Sequence, residues 1–319
     1  MPRKLILDVD TGTDDAVAIM LAALHPKLQL LAVTTVNGNV EIAHCTGNSL
    51  RTLDFIDRGD IPVFEGVSKP LAREDFPIPR RLKKATGVHV KEMPIPAASS
   101  RKQSRHAVEF LIETYRAATD EIVLVPTGPL TNIAAAVALD PGFAKRVPEI
   151  VIMGGAHHHG NVTPAAEFNI WADADAADAV LAAGFPKLTM VPLDATHQAL
   201  VSSDDCREMA GFGTPAGIAA SKFIGQRISG YDANQPMKER GAAPVHDAVC
   251  VAYLVNPAVI TTEFRNVRVE TQGKLTIGRT VVDTNFRGED PPNCHFAFGA
   301  DRRIFVDMLL ETFARKASI

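Results

Sequence analysis

The chain alternates apolar runs of strand length with amphipathic stretches of helix length from its N-terminus to about residue 192. Such alternation is typical of βαβ units, in which helices connect the strands of a parallel sheet. The strand-like runs are almost continuous Val, Ile and Leu, as expected when helices cover both faces of the sheet. We predict strands at Leu5–Val9, Leu28–Thr35, Ile122–Val125, Ile150–Met153 and Leu188–Pro192. We predict helices at Asp14–Leu24, Glu41–Asp57, Arg105–Ala118, Leu130–Ala138 and Asp173–Ala183. The predicted fold class is α/β, with a Rossmann-like, mostly parallel sheet flanked by helices.

The 319 residues contain no internal repeat and no low-complexity linker. A chain of this length can bury a large core in one α/β domain, so we predict a single domain spanning residues 1–319. Two stretches rich in proline and glycine, Val67–Pro96 and Thr284–Cys294, are predicted to be long loops around the active site.

Charge and hydropathy exclude several kinds of partner. The formal net charge of −4 offers no footprint for nucleic acid or an anionic membrane. The most basic stretch, "RRLKK" at Arg80–Lys84, is interpreted as a solvated loop. The longest strictly apolar run, Ala16–Leu24, is much shorter than the ~20 residues that a transmembrane helix needs. We therefore expect neither nucleic acid nor a membrane as a partner.

Cysteine usage and the N-terminus predict the compartment. The four cysteines lie far apart and form no C-x-x-C pair, which argues against a zinc site or a disulfide scaffold. The apolar "LIL" near the N-terminus runs directly into aspartates, where the apolar segment of a secretory signal would continue. We expect a soluble protein of the reducing cytoplasm.

Polar residues follow each predicted strand. The five strands are followed in turn by "DVDTGTDDA", "TTVNGN", "PTGPLTN", "GGAHHHGN…EFN" and "PLDATHQAL". Ligands of open parallel sheets bind outside the carboxyl ends of the strands, so this edge is the predicted site.

Four aspartates, Asp8, Asp10, Asp14 and Asp15, crowd the end of the first strand. A hard cation would turn the mutual repulsion of such carboxylates into ligation, and both Ca²⁺ and Mg²⁺ prefer oxygen ligands. A further carboxylate, Asp247, begins a predicted helix in "PVHDAVCVAYL". As an alternative, Asp14 could cap the helix that follows it.

Nucleotide-binding loops and a phosphatase motif are the alternatives to a cation site. The "GFGTPAG" stretch has the wrong spacing for a dinucleotide loop, and no P-loop motif occurs. The "DVDTG" segment resembles the D-x-D-x-[TV] motif of Mg²⁺-dependent haloacid-dehalogenase-type phosphatases, in which Asp8 would attack and Asp10 would act as acid and base. Gly12 stands where that motif has Thr or Val, and the remaining motifs do not fit it.

Taken together, the segments resemble the nucleoside hydrolase family, the inosine-uridine-preferring nucleoside hydrolases. The matching stretches are "DVDTGTDDA", "TTVNGN", "LVPTGPLTNIA", "MGG" followed by "GN…AEFNIWADADAA", "LDATHQAL", "VHDAVCVAYL" and "GRTVVD". The resemblance runs nearly end to end. It implies hydrolysis of the N-glycosidic bond of ribonucleosides to ribose and free base around a bound Ca²⁺.

The resemblance also implies roles for individual residues. Asp10, Asp15 and Asp247 would ligate the ion with their carboxylates and Thr127 with its carbonyl, while two sugar hydroxyls and one water complete the shell. Asp10 would take a proton from the attacking water, because Ca²⁺ alone acidifies water only mildly. The ribose-contacting positions are matched by Asp14, Asn39, Asn161, Glu167 and Asn169.

Further positions carry weaker implications. Met153 matches a residue near the sugar, with packing at a strand end as the alternative. His246 is the candidate acid that protonates the leaving base. The triplet His157–His159 is interpreted as loop surface, with one ring over the base as a further option, because consecutive residues rarely converge on one ion.

The loops depart from the family pattern. Family members carry a glycine-rich lid of roughly "HGxDGLG", whereas the matching stretch here is "GVHVKEMPIP", which keeps His89 as a substrate contact but lacks the glycines. A second segment, "SGYDANQPMKERGAA", offers Tyr231 and Arg240 as base contacts. The altered lid motivates a second hypothesis, a catalytically weak protein that binds nucleosides or ribose. The base preference stays open, and the resemblance implies a homodimer or homotetramer.

Overall fold

The computed structural model describes residues 1–74 and 88–315. Its strands are β1 (Arg3–Val9), β2 (Leu28–Thr35), β3 (Val63–Glu65), β4 (Ile122–Pro126), β5 (Glu149–Met153), β6 (Leu188–Val191), β7 (Leu200–Ser202), β8 (Ala242–Pro244), β9 (Ile260–Arg265), β10 (Val267–Val269), β11 (Thr280–Val282) and β12 (Cys294–Ala300). Eight of them form one sheet in the order β3-β2-β1-β4-β5-β6-β12-β9. All neighbours in this sheet are parallel except β9, which runs antiparallel to β12.

Helices pack on both faces of this sheet. They are α1 (Thr13–Leu24), α2 (Ile42–Phe55), α3 (Ala107–Ala117), α4 (Thr131–Leu139), α5 (Phe143–Arg146), α6 (Phe168–Ala172), α7 (Ala174–Ala182), α8 (Leu193–Thr196), α9 (Ser203–Gly211), α10 (Pro215–Asn234), α11 (His246–Val255) and α12 (Arg302–Phe313). A 3₁₀ turn covers Pro257–Val259. No helix in the described ranges is both long enough and apolar enough to cross a membrane.

The sheet separates two hydrophobic clusters. Along β1, Leu5, Leu7 and Val9 belong to one cluster and Ile6 to the other, because successive side chains of a strand point to opposite faces. Helix α1 is buried from Thr13 to Ala23, since α10, α11 and the sheet enclose it. The polar start of this buried helix is therefore held rigidly at the carboxyl edge of the sheet.

The predicted α/β class is confirmed. Each of the five predicted strands and five predicted helices lies within two residues of an observed element. The prediction lacked β3, which has three residues, and the pair β9 and β12, which completes the sheet beyond β6. Of the long predicted loops, residues 75–87, including Arg80–Lys84, lie outside the described residues.

Candidate active site

A cavity of about 390 Å³ opens at the carboxyl edge of the sheet. Of the metal, catalytic and sugar-contacting residues predicted from the sequence, all line it except Asp10 and Asp15, which are buried. The predicted residues that line it are Asp14, Asn39, His89, Thr127, Met153, Asn161, Glu167, Asn169, His246 and Asp247. Segments far apart in the chain therefore converge on one cavity, because the parallel strands end at the same edge.

Three buried carboxylates meet at the floor of the cavity. Oxygens of Asp14, Asp15 and Asp247 all lie within 4.8 Å of one another. Asp15 is fixed by the amide of Gly12 at 2.8 Å and by the Thr127 hydroxyl at 3.1 Å. Asp15, rather than Asp14, thus accepts the backbone bond at the start of α1, so capping does not account for Asp14.

Asp10 lies directly beside this group, at the end of β1. The Asn39 amide donates to its Oδ2 at 2.6 Å. A Cβ at Gly38 would come within 2.0 Å of the same oxygen, so the close approach requires glycine there. Gly12 likewise permits the close approach of His89, because a Cβ at Gly12 would lie 2.1 Å from Nδ1 of His89.

Burial and mutual repulsion perturb these carboxyls. Burial, followed by the charge of Asp14, raises the pKa of Asp15 to about 7. Burial and then the charges of Asp15 and Asp14 also raise the pKa of Asp10. The pKa of Asp247 is raised by burial first and then by Asp14, Asp15 and Asp10. Arg227, 2.8 Å from Asp14, supplies one positive charge to this small buried volume, so its four acidic groups are only partly compensated. Such an excess of buried negative charge is the setting in which a cation binds.

The available donors suit a hard cation. They are carboxylate oxygens and the carbonyl of Thr127, whose oxygen accepts one bond from Asn169 Nδ2 at 2.7 Å and keeps a second lone pair. Oxygen-only ligand sets favour Ca²⁺ or Mg²⁺ over softer metals. The acidic cluster can therefore bind a metal ion.

The cavity lining also carries directional hydrogen-bonding groups. Glu167 begins α6, and its carboxylate accepts bonds from the amides of Asn169 and Gly155, each at 2.9 Å. Burial raises the pKa of Glu167 to about 7. Asn169 also approaches the carbonyl of Met153 at 3.2 Å and its sulfur at 3.3 Å. Asn161 accepts a bond from the Phe168 amide at 2.9 Å. These bonds hold amide and carboxylate groups in fixed directions along the cavity.

His246 lies in a chain of hydrogen bonds that ends at the cavity. Its Nδ1 is 2.7 Å from the Thr196 hydroxyl, and its Nε2 is 2.7 Å from the Tyr231 hydroxyl. Burial, followed by the charge of Arg227, lowers the pKa of His246 well below its usual value. Burial raises the pKa of Tyr231 to about 12. The imidazole is therefore neutral and the phenol protonated at neutral pH.

Comparison with known proteins agrees with this arrangement. The sequence profile of the family described as inosine-uridine preferring nucleoside hydrolase matches residues 5–307. The chain belongs to the inosine-uridine preferring nucleoside hydrolase family. The predicted family resemblance is thus confirmed.

Three similar proteins show how far this nucleoside hydrolase matches its relatives. It is 40% identical over 314 residues to the pyrimidine-specific ribonucleoside hydrolase RihA of Shewanella sp. (strain ANA-3), covering 98% of this chain and 97% of RihA. It is 39% identical over 323 residues to the inosine-uridine preferring nucleoside hydrolase of Crithidia fasciculata, covering 99% and 98%. The purine-preferring ribonucleoside hydrolase from Gardnerella vaginalis superposes with a TM-score of 0.88 at 32% identity, covering 98% of each chain.

The nucleoside hydrolase structure also places the remaining candidates. Tyr231 lines the cavity, whereas Arg240 is exposed and lies outside its lining. The triplet His157–His159 also lies outside the lining, and Asp194 accepts bonds from the amides of His157 and His158 at 2.7 and 3.2 Å. Asp8, the nucleophile of the phosphatase alternative, is buried against Thr34 and Asn132 and does not line the cavity. The family assignment and this position both disfavour the phosphatase alternative.

Sequence reasoning missed Arg227 in this nucleoside hydrolase. Its guanidinium is 1% exposed, lines the cavity and lies 2.8 Å from Asp14 Oδ1. The available signal was its position four residues before Tyr231, which places both side chains on one face of a helix. The direction of that face depends on how α10 packs, which the local sequence does not specify.

Proposed function

We propose that this chain is a Ca²⁺-dependent ribonucleoside hydrolase that cleaves the N-glycosidic bond to give ribose and a free purine or pyrimidine base, as in nucleoside salvage. One observation carries the proposal. The same cavity combines a buried carboxylate cluster, a wall of directional amides and carboxylates, and a histidine–tyrosine pair. These are the parts that hydrolysis of a nucleoside needs: a cation site, a sugar site and a proton donor for the base.

The family and the donor set support Asp10, Asp15, Asp247 and the Thr127 carbonyl as the residues that would hold the cation. Ca²⁺ tolerates irregular shells of 6–8 oxygens, whereas Mg²⁺ demands an octahedron, so ligands from a turn, a strand end and a distant helix favour Ca²⁺. When bound, the cation would orient the sugar hydroxyls and make the attacking water more acidic. Asp10 then acts as the general base that takes the proton from that water.

The sugar is held by the polar residues of the cavity wall. We assign the hydroxyl contacts to Asp14, Asn39, Asn161, Glu167 and Asn169, with Met153 beside the ring. Cleavage of a glycosidic bond develops positive charge on the sugar ring. The fixed carboxylate of Asp10 stabilises that charge, because it lies in a buried site that cannot reorganise as water would.

The leaving base receives its proton from the Tyr231–His246 pair. Tyr231 and His246 share a 2.7 Å hydrogen bond, and both line the cavity. Since the pKa of His246 is lowered, the pair supplies the proton as one hydrogen-bonded unit. The proton passes to the base as the glycosidic bond breaks, and solvent returns a proton to the pair before the next turnover. His89, which lies over Gly12, also lines the cavity.

A substrate panel tests the proposed function. Relatives with pyrimidine, inosine-uridine and purine preferences match this chain at 40, 39 and 32% identity, so likeness alone does not select a base. We expect the calcium-loaded protein to release reducing sugar from at least one of inosine, adenosine, uridine and cytidine. Release from none of them, with ribonucleoside binding seen by calorimetry, would favour the binding-protein hypothesis.

Three other predictions from the sequence remain proposals: one domain over residues 1–319, a homodimer or homotetramer, and a cytoplasmic location.

We expect His246→Ala to lower kcat for uridine or inosine by about 10²–10⁴-fold, the usual contribution of a general acid. Tyr231→Phe removes the shared hydroxyl and should lower kcat in the same direction. A ribosyl substrate with a p-nitrophenolate leaving group needs no protonation, so both variants should hydrolyse it at nearly the wild-type rate. Equal losses on both kinds of substrate would contradict the acid role.

A further inference from the structure

Arg227 joins three parts of the cavity through one buried guanidinium. Its Nε donates to the carbonyl of Pro244 at 2.9 Å, immediately before the segment that carries His246 and Asp247. Its Nη1 donates to the Thr13 hydroxyl at 3.2 Å and lies 2.8 Å from Asp14 Oδ1. The side chain is 1% exposed, so these partners replace water around the charge. Buried charges are tolerated when paired and hydrogen-bonded in this way.

The guanidinium is also the single Lys or Arg side chain among the described residues that line the cavity. Burial acts to lower the pKa of Arg227, and nearby groups, Asp14 first, outweigh it and raise the pKa. The arginine is thus a permanent positive charge next to four acidic side chains. Its ion-pair partner among them is Asp14, whose Oδ1 lies 2.8 Å from Nη1 of Arg227.

This pairing resolves an ambiguity in the acidic cluster. By distance alone, Asp14, Asp15 and Asp247 could all ligate one cation, since their oxygens lie within 4.8 Å. The proposed function needs Asp14 for the sugar instead. A carboxylate that already forms a buried ion pair would have to give up that pair to become a ligand, leaving a buried guanidinium uncompensated. Within residues 1–74 and 88–315, the ion pair of Arg227 is with Asp14, and no ion pair is formed by Asp15 or Asp247.

We propose that Arg227 is a positioning residue that reserves Asp14 for the substrate's sugar and keeps it out of the cation shell. The inference rests on the proposed function and adds to it a residue that divides the acidic cluster into two roles. Because the arginine pairs with Asp14 and carries a charge of its own, it also holds the affinity for the cation below what four free carboxylates would give.

Replacing Arg227 should therefore strengthen Ca²⁺ binding and weaken ribonucleoside binding. In Arg227→Gln, Asp14 is free to turn toward the cation. We expect the Kd for Ca²⁺, measured by calorimetry on the substrate-free protein, to fall about tenfold as the neighbouring positive charge is removed. We expect KM for the best ribonucleoside to rise about 30-fold, with a smaller change in kcat, as a contact made in both ground and transition states is lost.

Two further variants separate positioning from a merely structural role. The double variant Asp14→Asn with Arg227→Gln removes a neutral pair, so its Kd for Ca²⁺ should stay within about threefold of wild type while KM stays raised. Arg227→Lys keeps the charge but not the planar fork, so its Kd for Ca²⁺ should match wild type and its KM should lie between those of wild type and Arg227→Gln. Circular dichroism establishes that each variant is folded.

The outcomes are distinguishable. If wild type neither binds Ca²⁺ nor hydrolyses a ribonucleoside, the proposed function is wrong. If wild type does both, the inference is overturned by unchanged or weaker Ca²⁺ binding in folded Arg227→Gln. It is equally overturned by a loss of more than about 30-fold in Ca²⁺ affinity in the double variant, since that loss would make Asp14 a ligand. Should Arg227→Gln fail to fold, the lysine and double variants decide by the same measurements.

Discussion

Asp10→Asn should lower kcat by about 10⁴-fold, at the upper end of what a general base contributes. The substitution preserves shape, and the asparagine oxygen can still accept the bond that the Asn39 amide donates at 2.6 Å. It removes the proton acceptor and one anionic ligand together. Steady-state kinetics on the best ribonucleoside, with saturating Ca²⁺, measures the effect on the proposed base.

Asp8→Asn is the matched control for this prediction. Asp8 precedes Asp10 by two residues and is also buried, and its Oδ1 accepts bonds from Thr34 at 2.5 Å and Asn132 at 2.8 Å. An asparagine oxygen can accept both bonds, so we expect kcat within about tenfold of wild type. A near-normal rate in Asp10→Asn would remove the base from the mechanism. Loss of all activity in folded Asp8→Asn would show that a buried carboxylate outside the cavity is also required.

Removal of Ca²⁺ by a chelator should abolish turnover and lower Tm, and the fall in Tm should be larger at pH 8 than at pH 5. In the metal-free fold, the pKa of Asp15 is raised to about 7, and those of Asp10 and Asp247 are raised as well. A raised pKa in the folded state contributes stability below the unfolded pKa of about 4. That contribution is lost as the pH rises towards 7.

Ca²⁺ binds the deprotonated carboxylates, so it competes with protons at pH 5 and restores the most stability at pH 8. At a free concentration of 1,000 times its Kd, a ligand adds about 4 kcal/mol to the free energy of unfolding. For 319 residues, we expect this to raise Tm at pH 8 by about 6 °C. Differential scanning calorimetry at each pH, with and without Ca²⁺, cancels the contributions of Asp8 and Glu167, whose pKa values are also about 7. Equal shifts at both pH values would contradict the prediction.

The sequence predicted the parts of the molecule that depend on local pattern. Strands such as β2 were found at their observed bounds because parallel strands buried on both faces are continuous apolar runs. Strand β9 was missed because it is an antiparallel edge strand with several exposed residues, including Glu263 and Phe264. The motifs at the strand ends identified the lining of the cavity because topology brings all strand ends to one edge.

Interactions between distant helices could not be predicted in this way. Arg227 contacts Thr13 from 214 positions away, and no local pattern states that α10 will turn that side chain toward α1. Likewise, the motifs imply that Asp10, Asp15 and Asp247 ligate the cation together. In the structure, it is the carboxylate oxygens of Asp14, Asp15 and Asp247 that lie within 4.8 Å of one another. Sequence spacing can predict which carboxylates share a cluster. Which of them bind the cation and which contact the sugar depends on their neighbours in the folded structure.

The acidic cluster draws Asp15 from the first helix and Asp247 from one of the last. If the cluster holds the proposed cation, its ligand set would remain incomplete during synthesis until Asp247 has been added to the chain. On the proposed function, metal loading would follow synthesis of Asp247, and a chain truncated before this residue would lack a ligand that activity requires.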